Sequence, residues 1–140
     1  MRKLIAVSGG FDPVHVGHVR MIQSAAKLGD VIIFANSDDW LVRKKGYSFM
    51  KFEERAEILE SFKGVIGVVE AAALDGTVCS TINLIRPDVF ANGGDRKGDN
   101  TPEVELCKKL GIELVWNIGG EKIQSSSSLV EKTKQKEVEK

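Results

Sequence analysis

Short apolar runs alternate along this chain with longer stretches in which apolar residues return every three or four positions. The runs at 3–7, 31–35, 65–69, 88–91 and 113–116 are too short for helices and mostly rich in β-branched residues, so they predict five buried strands. The stretches between them predict helices. Residues 17–28 carry Val19, Ile22 and Ala26 on one face, 52–62 carry Phe52, Ala56 and Leu59, and 77–85 carry Val78, Ile82 and Ile85. A fourth helix, 102–110, has agreeing boundary signals: Thr101 as N-cap, Pro102 in the first turn and Gly111 just past the end.

Parallel strands joined by helices require right-handed crossovers, so the pattern predicts a Rossmann-like, doubly wound α/β fold. Its five-stranded parallel sheet is covered by helices on both faces. Ligands of such sheets sit beyond the carboxyl ends of the strands, which singles out 8–18, 36–51, 92–100 and 117–128. Residues 131–140 alternate acidic and basic side chains with Val138 as their only apolar member, the pattern of a solvated, frayed tail.

A length of 140 residues predicts a single domain, and 42% hydrophobic residues supply a core. Lys plus Arg and Asp plus Glu both number 20, so no net basic field would draw in nucleic acid. The N-terminal apolar run at 4–7 stops at Ser8-Gly9-Gly10, too short for a signal peptide or a membrane span, and this predicts a cytoplasmic protein without a membrane partner. Cys79 and Cys107 have neither C-x-x-C nor metal-ligand spacing and read as reduced core thiols, and no protein-held metal site is predicted.

The chemistry gathers at the first strand-to-helix turn. In Ser8-Gly9-Gly10-Phe11-Asp12-Pro13-Val14-His15-Val16-Gly17-His18, Gly9, Gly10 and Gly17 let the backbone approach a ligand, and a helix start presents N–H groups to an anion. His15 and His18, the only two histidines, are three apart and can turn ring N–H groups to one side, towards phosphate oxygens.

The string Gly10-Phe11-Asp12-x-x-His15-x-Gly17-His18 resembles the signature of the cytidylyltransferase-like nucleotidylyltransferases. The resemblance implies that Gly10, His15 and His18 surround a nucleoside triphosphate, with the histidines stabilising charge on it, while Phe11 and Asp12 shape the loop. After the second strand, Arg43, Lys44, Lys45 and Lys51 precede a helix that carries Glu54-Arg55. That segment is similar to its counterpart in glycerol-3-phosphate cytidylyltransferases and heptose-1-phosphate adenylyltransferases. It places Lys44 in the catalytic set, and Lys45, Lys51 and Arg55 among the acceptor contacts.

Two late motifs complete the expectation. Asn92-Gly93-Gly94-Asp95-Arg96 ends the fourth strand and resembles the family's G-D-D or G-G-D turn, which makes Asn92, Gly94, Asp95 and Arg96 nucleotide contacts. Ser125-Ser126-Ser127-Ser128 reads as a helix start capped by Ser125, and it resembles the family's serine and threonine motif. That resemblance makes Ser125, Ser126 and Ser127 donors to phosphate. An arginine usually precedes that motif; here Glu121 and Lys122 stand in the interval, so Lys122 or Arg96 supplies the charge.

The implied activity is transfer of a nucleoside monophosphate from CTP or ATP to a phosphorylated small-molecule acceptor, with release of pyrophosphate and with Mg²⁺ carried by the triphosphate. Glycerol phosphate, a sugar 1-phosphate and flavin mononucleotide all remain open as acceptors, and homodimers are common in the family. The alternatives are a non-catalytic nucleotide-binding module on the same fold and a dinucleotide-binding oxidoreductase. Gly9-Gly10 lacks the G-x-G-x-x-G spacing that the last of these requires.

Overall fold

The structure is a computed structural model and describes residues 2–71, 77–93, 101–116 and 118–119. Its elements run β1 (Lys3–Gly9), α1 (Val16–Leu28), β2 (Gly29–Asn36), α2 (Asp38–Lys45), α3 (Phe52–Glu60), β3 (Val65–Ala71), α4 (Cys79–Ile85), β4 (Val89–Ala91), α5 (Pro102–Leu110) and β5 (Glu113–Val115). The five strands lie in the order β3-β2-β1-β4-β5, and every neighbouring pair is parallel. The doubly wound architecture expected from the sequence is therefore present. The chain builds outwards from β1 to β3 and then returns to the other side of β1, so the order reverses between β1 and β4. A crevice opens at such a switch point.

Period-two alternation divides the strand side chains between two cores. Ile5, Val7, Val31, Ile33, Val89 and Ala91 face α1 and α3, where Ile22, Ala25 and Leu59 close one apolar layer. Ala6, Phe34 and Phe90 face the opposite way and pack with Ile82 of α4 and Cys107 of α5. Among the described residues, no helix is long and apolar enough to cross a membrane.

The main departure from the sequence pattern is α2, which occupies part of the segment read as a loop after the second strand. Its apolar content is slight, with Leu41 as its one buried residue, so it has little hydrophobic period to recognise. Local signals hold it instead. The Ser37 hydroxyl accepts from the Trp40 N–H at 3.1 Å, Asp38 and Asp39 sit at the positive helix end, and Arg43, Lys44 and Lys45 sit at the negative one. Gly46 ends the helix in the left-handed region at φ 87°.

Several boundaries also shift. β1 extends through Ser8 and Gly9, which pair with Phe34 and Ala35, and β2 starts at Gly29 rather than Val31. Helix α4 starts at Cys79, two residues later than expected. Thr101 caps α5 as expected, accepting from the Val104 N–H at 3.4 Å, and Gly111 ends it.

Both cysteines are free, as the sequence suggests, with Cys107 fully buried and Cys79 partly so. Burial, with the neighbouring Cys79 and Glu103 charges adding to it, pushes the Cys107 thiol up from 9.0 to about 11. The folded protein thus holds this thiol protonated over a range in which the unfolded chain ionises it. Stability is unaffected by this group below pH 9, and is drawn down as pH rises from 9 through about 11. Cys107→Ala is expected to flatten that part of the alkaline decline in urea titrations.

Candidate active site

The first turn is organised by its two histidines. His15 is the N-cap of α1, with its Nδ1 accepting from the Gly17 N–H at 3.1 Å, while His18 Nδ1 accepts from the His15 N–H at 3.2 Å. The pair forms a reciprocal cap of the kind more often made by a hydroxyl and a carboxylate. Because both Nδ1 atoms accept, each neutral ring carries its proton on Nε2, and Nε2 becomes the donor. The rings stack with centroids 3.9 Å apart and 22° between planes. Phe11 supports the stack from beneath, its ring 4.7 Å from that of His18.

Phe11 is buried and takes a positive φ of 53°. A Cβ at Gly9 would meet the Phe11 ring at 3.3 Å, so a side chain there could be accepted only if the ring shifted. Phe11 is thus a support for the histidines.

Asp12 likewise faces inward. Its carboxylate accepts from the Phe49 and Met50 N–H groups at 2.6 and 2.5 Å, and Lys45 Nζ stands 3.8 Å from it. Every one of these partners belongs to the protein, so the expected nucleotide contact gives way to a loop clamp. Lys45 Nζ also donates to the Asp12 carbonyl at 3.2 Å and lies 5.0 Å from the Tyr47 ring centroid. The basic cluster is therefore at the end of a helix and tied to the first turn, whereas the sequence placed it on a separate loop. Lys44 and Lys51 are exposed.

Arg55 requires the largest correction. Expected to touch the acceptor, it is fully buried with its guanidinium committed to the protein. Nη1 donates to the carbonyls of Gly10 at 2.7 Å and Asn36 at 2.8 Å, Nε to the Met50 carbonyl at 3.0 Å, and Nη2 to the Asp38 carboxylate at 2.7 Å. These partners come from the ends of β1 and β2, the start of α2 and the approach to α3. Arg55 is a positioning residue.

Beyond the carboxyl ends of β1, β4 and β2, on the α4 and α5 side, lies a cavity of about 350 Å³. Trp40 and Trp116 form apolar wall, and Thr77, Thr101, Asn36 and Asn92 supply polar groups. Glu103 is the one charged side chain among the described residues that line it. Of this wall, sequence reasoning singled out Gly9 and Asn92 and missed the other side chains, yet it left a signal: the chain has two tryptophans, and both follow strand ends. The Asn92 backbone bonds to Val115 and Ile118, at 2.8 and 3.0 Å, and continues the sheet edge. Its side-chain Nδ2, however, is the one buried side-chain polar atom without a partner among the described residues. Leaving a buried donor unpaired costs about 1–3 kcal/mol.

Gly94, Asp95, Arg96, Lys122 and the serines Ser125, Ser126 and Ser127 lie outside the described residues. The chain approaches the histidine turn before that point. Gly119, at φ 85°, passes so close to α1 that a Cβ would lie 2.8 Å from the Met21 nitrogen.

Arg55→Ala is expected to destabilise the protein by about 3–5 kcal/mol, because it strands the carbonyl groups and the carboxylate that the guanidinium now satisfies. Arg55→Lys should also lose stability, since an ammonium lacks the planar fork that spans these partners. Urea denaturation of both variants provides the measurement.

Comparison with known proteins bears on this geometry. The chain is 35% identical over 136 residues to the bifunctional protein HldE of Sulfurimonas denitrificans, covering 95% of this chain and 27% of that protein. It is 34% identical over 113 residues to the FAD synthase of Ferroglobus placidus, covering 81% and 72% respectively. The chain thus spans about a quarter of the length of the HldE relatives. A lipopolysaccharide core biosynthesis protein from Thermoplasma volcanium has the same fold, with a TM-score of 0.67 at 22% identity over 83% of this chain and 96% of that one. The cytidylyltransferase-like family matches residues 6–138, from the first strand through the histidine-capped turn and past the last described strand. The chain belongs to the cytidylyltransferase-like family.

Proposed function

We propose that this chain transfers a nucleoside monophosphate from ATP or CTP to a phosphorylated small-molecule acceptor and releases pyrophosphate. The observation that carries the reading is the reciprocal histidine cap, which fixes two Nε2 donors at a helix start just beyond β1. Kinship to an FAD synthase and to HldE proteins supports the same chemistry.

In this reading an acceptor phosphate oxygen attacks the α-phosphorus, a new P–O bond forms, and the bond to the bridging oxygen of the pyrophosphate breaks. Charge moves onto the departing pyrophosphate, where His15 and His18 hold N–H groups already oriented by their own Nδ1 bonds. Donors fixed before reaction stabilise that charge without reorganising. Lys45, tethered to the turn, adds positive potential, and exposed Lys44 and Lys51 supply more on the carboxyl side of the sheet. Mg²⁺ would be carried by the triphosphate, whose oxygens suit a hard cation. Asp12 is not proposed as its ligand, because the Phe49 and Met50 N–H groups and Lys45 already occupy that carboxylate.

In-line displacement requires acceptor and leaving group on opposite sides of the α-phosphorus. The histidine cap belongs to α1, which packs on one face of the sheet, and the cavity lies towards α4 and α5 on the other, with the end of β1 between them. We assign the cavity to the acceptor's body for this reason.

His15→Ala and His18→Ala are each expected to lower turnover by roughly 10²- to 10³-fold while weakening triphosphate binding less, the signature of a donor that acts mainly in the transition state. Steady-state pyrophosphate release, with calorimetric titration of Mg²⁺ complexes of ATP, CTP, GTP and UTP, measures both quantities. Binding of none of the four would refute the triphosphate reading.

Lys45→Ala should impair use of both substrates, since its ammonium is attached to the Asp12 turn. A defect confined to the acceptor would place this lysine with the cavity instead.

A further inference from the structure

We infer that the reciprocal cap is an acid-sensitive switch, which assembles only while His15 and His18 are both neutral and opens as the pH falls through the range in which free imidazole protonates. The switch belongs to the free chain and so goes beyond the transferase reading; only its effect on triphosphate binding rests on that reading. Its basis is the place of two protons. The Gly17 N–H donates to His15 Nδ1 at 3.1 Å, and the His15 N–H donates to His18 Nδ1 at 3.2 Å. A neutral ring meets this demand with its lone pair on Nδ1 and its proton on Nε2. An imidazolium cannot, because both of its nitrogens are donors. A proton on either Nδ1 would set donor against donor where a hydrogen bond now lies.

The two halves of the cap share one residue. His15 supplies the Nδ1 that takes the Gly17 N–H and the N–H that holds His18, and its carbonyl accepts from the His18 and Val19 N–H groups at 2.9 and 3.2 Å. Protonating either ring therefore takes a bond from the same first turn of α1. A capping box made from serine or threonine with glutamate or glutamine has no group that changes charge between about pH 5 and 8, whereas one made from two imidazoles does.

The surroundings oppose the added charge. The rings are half-buried and stack with centroids 3.9 Å apart, so a proton on one disfavours a proton on the other. Both stand at the positive end of α1, whose first turn holds no acidic residue. Of the described charged groups around them, Arg20 on α1, Lys45 on α2 and Arg55 on α3 are cations. Asp12 is the one acid between Ser8 and His18, and its carboxylate is already committed to the Phe49 and Met50 N–H groups and to Lys45. Asp38 is held by Arg55, and Asp39, Glu53 and Glu54 are exposed.

In the unfolded chain both imidazoles protonate near their ordinary value of about 6.5. The folded turn refuses those protons, so below that value the unfolded state binds more of them and stability falls with pH. Well above it both states are neutral and the contribution of the cap is complete. A triphosphate would accordingly meet two neutral N–H donors, and acid would weaken a site that imidazolium contacts would strengthen.

The chain has two histidines, so ring-nitrogen NMR of the full chain labelled with ¹⁵N-histidine reads the switch and nothing else. At about pH 8 both rings are expected as the Nε2–H tautomer. Each should take its second proton at least about half a pH unit below the ordinary value of about 6.5, with the Gly17 and His15 amide signals moving in step. Combining His15→Asn with His18→Gln rebuilds the box from an amide N-cap and a glutamine at the third helical position, neither of which titrates. In urea titrations between about pH 7.5 and 5.5, the folding equilibrium constant of the wild-type chain should fall roughly 10-fold further than that of this variant.

An Nδ1–H tautomer for either ring at about pH 8, protonation of either ring closer to the ordinary value or above it, or equal pH slopes in the two proteins would overturn the inference. Should the double variant fail to fold, the ring titration of the wild-type chain decides alone. These measurements need no nucleotide. If the rings titrate as expected and no triphosphate binds, the switch stands and the transferase reading falls.

Discussion

The buried guanidinium of Arg55 is the constraint on which the rest of the site depends. Four bonds, all 3.0 Å or shorter, take it to Gly10, Asn36, Met50 and Asp38, which belong to four different pieces of chain. Strand ends normally leave carbonyl groups for solvent, and here two are turned inward and satisfied by one side chain. A buried cation is costly to desolvate, and that cost is recovered only when its donors are matched. Moving any one of the four pieces would therefore unpair a buried charge. The interaction fixes geometry more than it adds net stability.

Asp12 extends the constraint into the histidine turn. Its carboxylate holds the Phe49 and Met50 N–H groups, and Arg55 holds the Met50 carbonyl from the other side, so the approach to α3 is gripped at both backbone polarities. Through Lys45 the same turn is joined to the end of α2. Residues 10–12 are thereby anchored by Arg55, Asp12 and the buried Phe11 ring, and the histidine cap rests on that base. The sequence from Gly10 to His18 thus divides into a base at residues 10–12 and the histidine cap that rests on it.

Much of this was legible in the chain. Five apolar runs gave the strands, Thr101 and Gly111 bounded α5, and the pairing of two histidines with three glycines marked the turn. What stayed hidden has common physical causes. Helix α2 buries one apolar residue, so it has caps and charges but almost no hydrophobic period. The inward turn of Arg55 depends on carbonyl groups as far as 45 residues away, and sequence offers no sign that a helical arginine next to acidic neighbours is a buried hub. The cavity wall is gathered from four strand ends and three helix starts, and its members share no spacing. Asn92 was singled out for its turn, but its unpaired amide appears only when the burial of one nitrogen atom is known.

The two sides of the β1 end are built from opposite electrostatic materials. On the α1 side stand imidazole donors, a helix start and a tethered lysine, all suited to anions. On the α4 and α5 side the described residues are tryptophans, hydroxyls, amides and one carboxylate, with the Asn92 amide donor unpaired. A protein selected for stability alone would fill that space or pair that amide, because the unpaired group is a standing cost. That amide and the cavity it borders lie at the topological switch point, where the strand order reverses between β1 and β4. Arg55 couples the two sides, since it grips Gly10 at the end of β1 and Asn36 at the end of β2, the latter itself part of the cavity wall. The same guanidinium that holds the histidine turn in place therefore also fixes one wall of the cavity on the other face of the sheet.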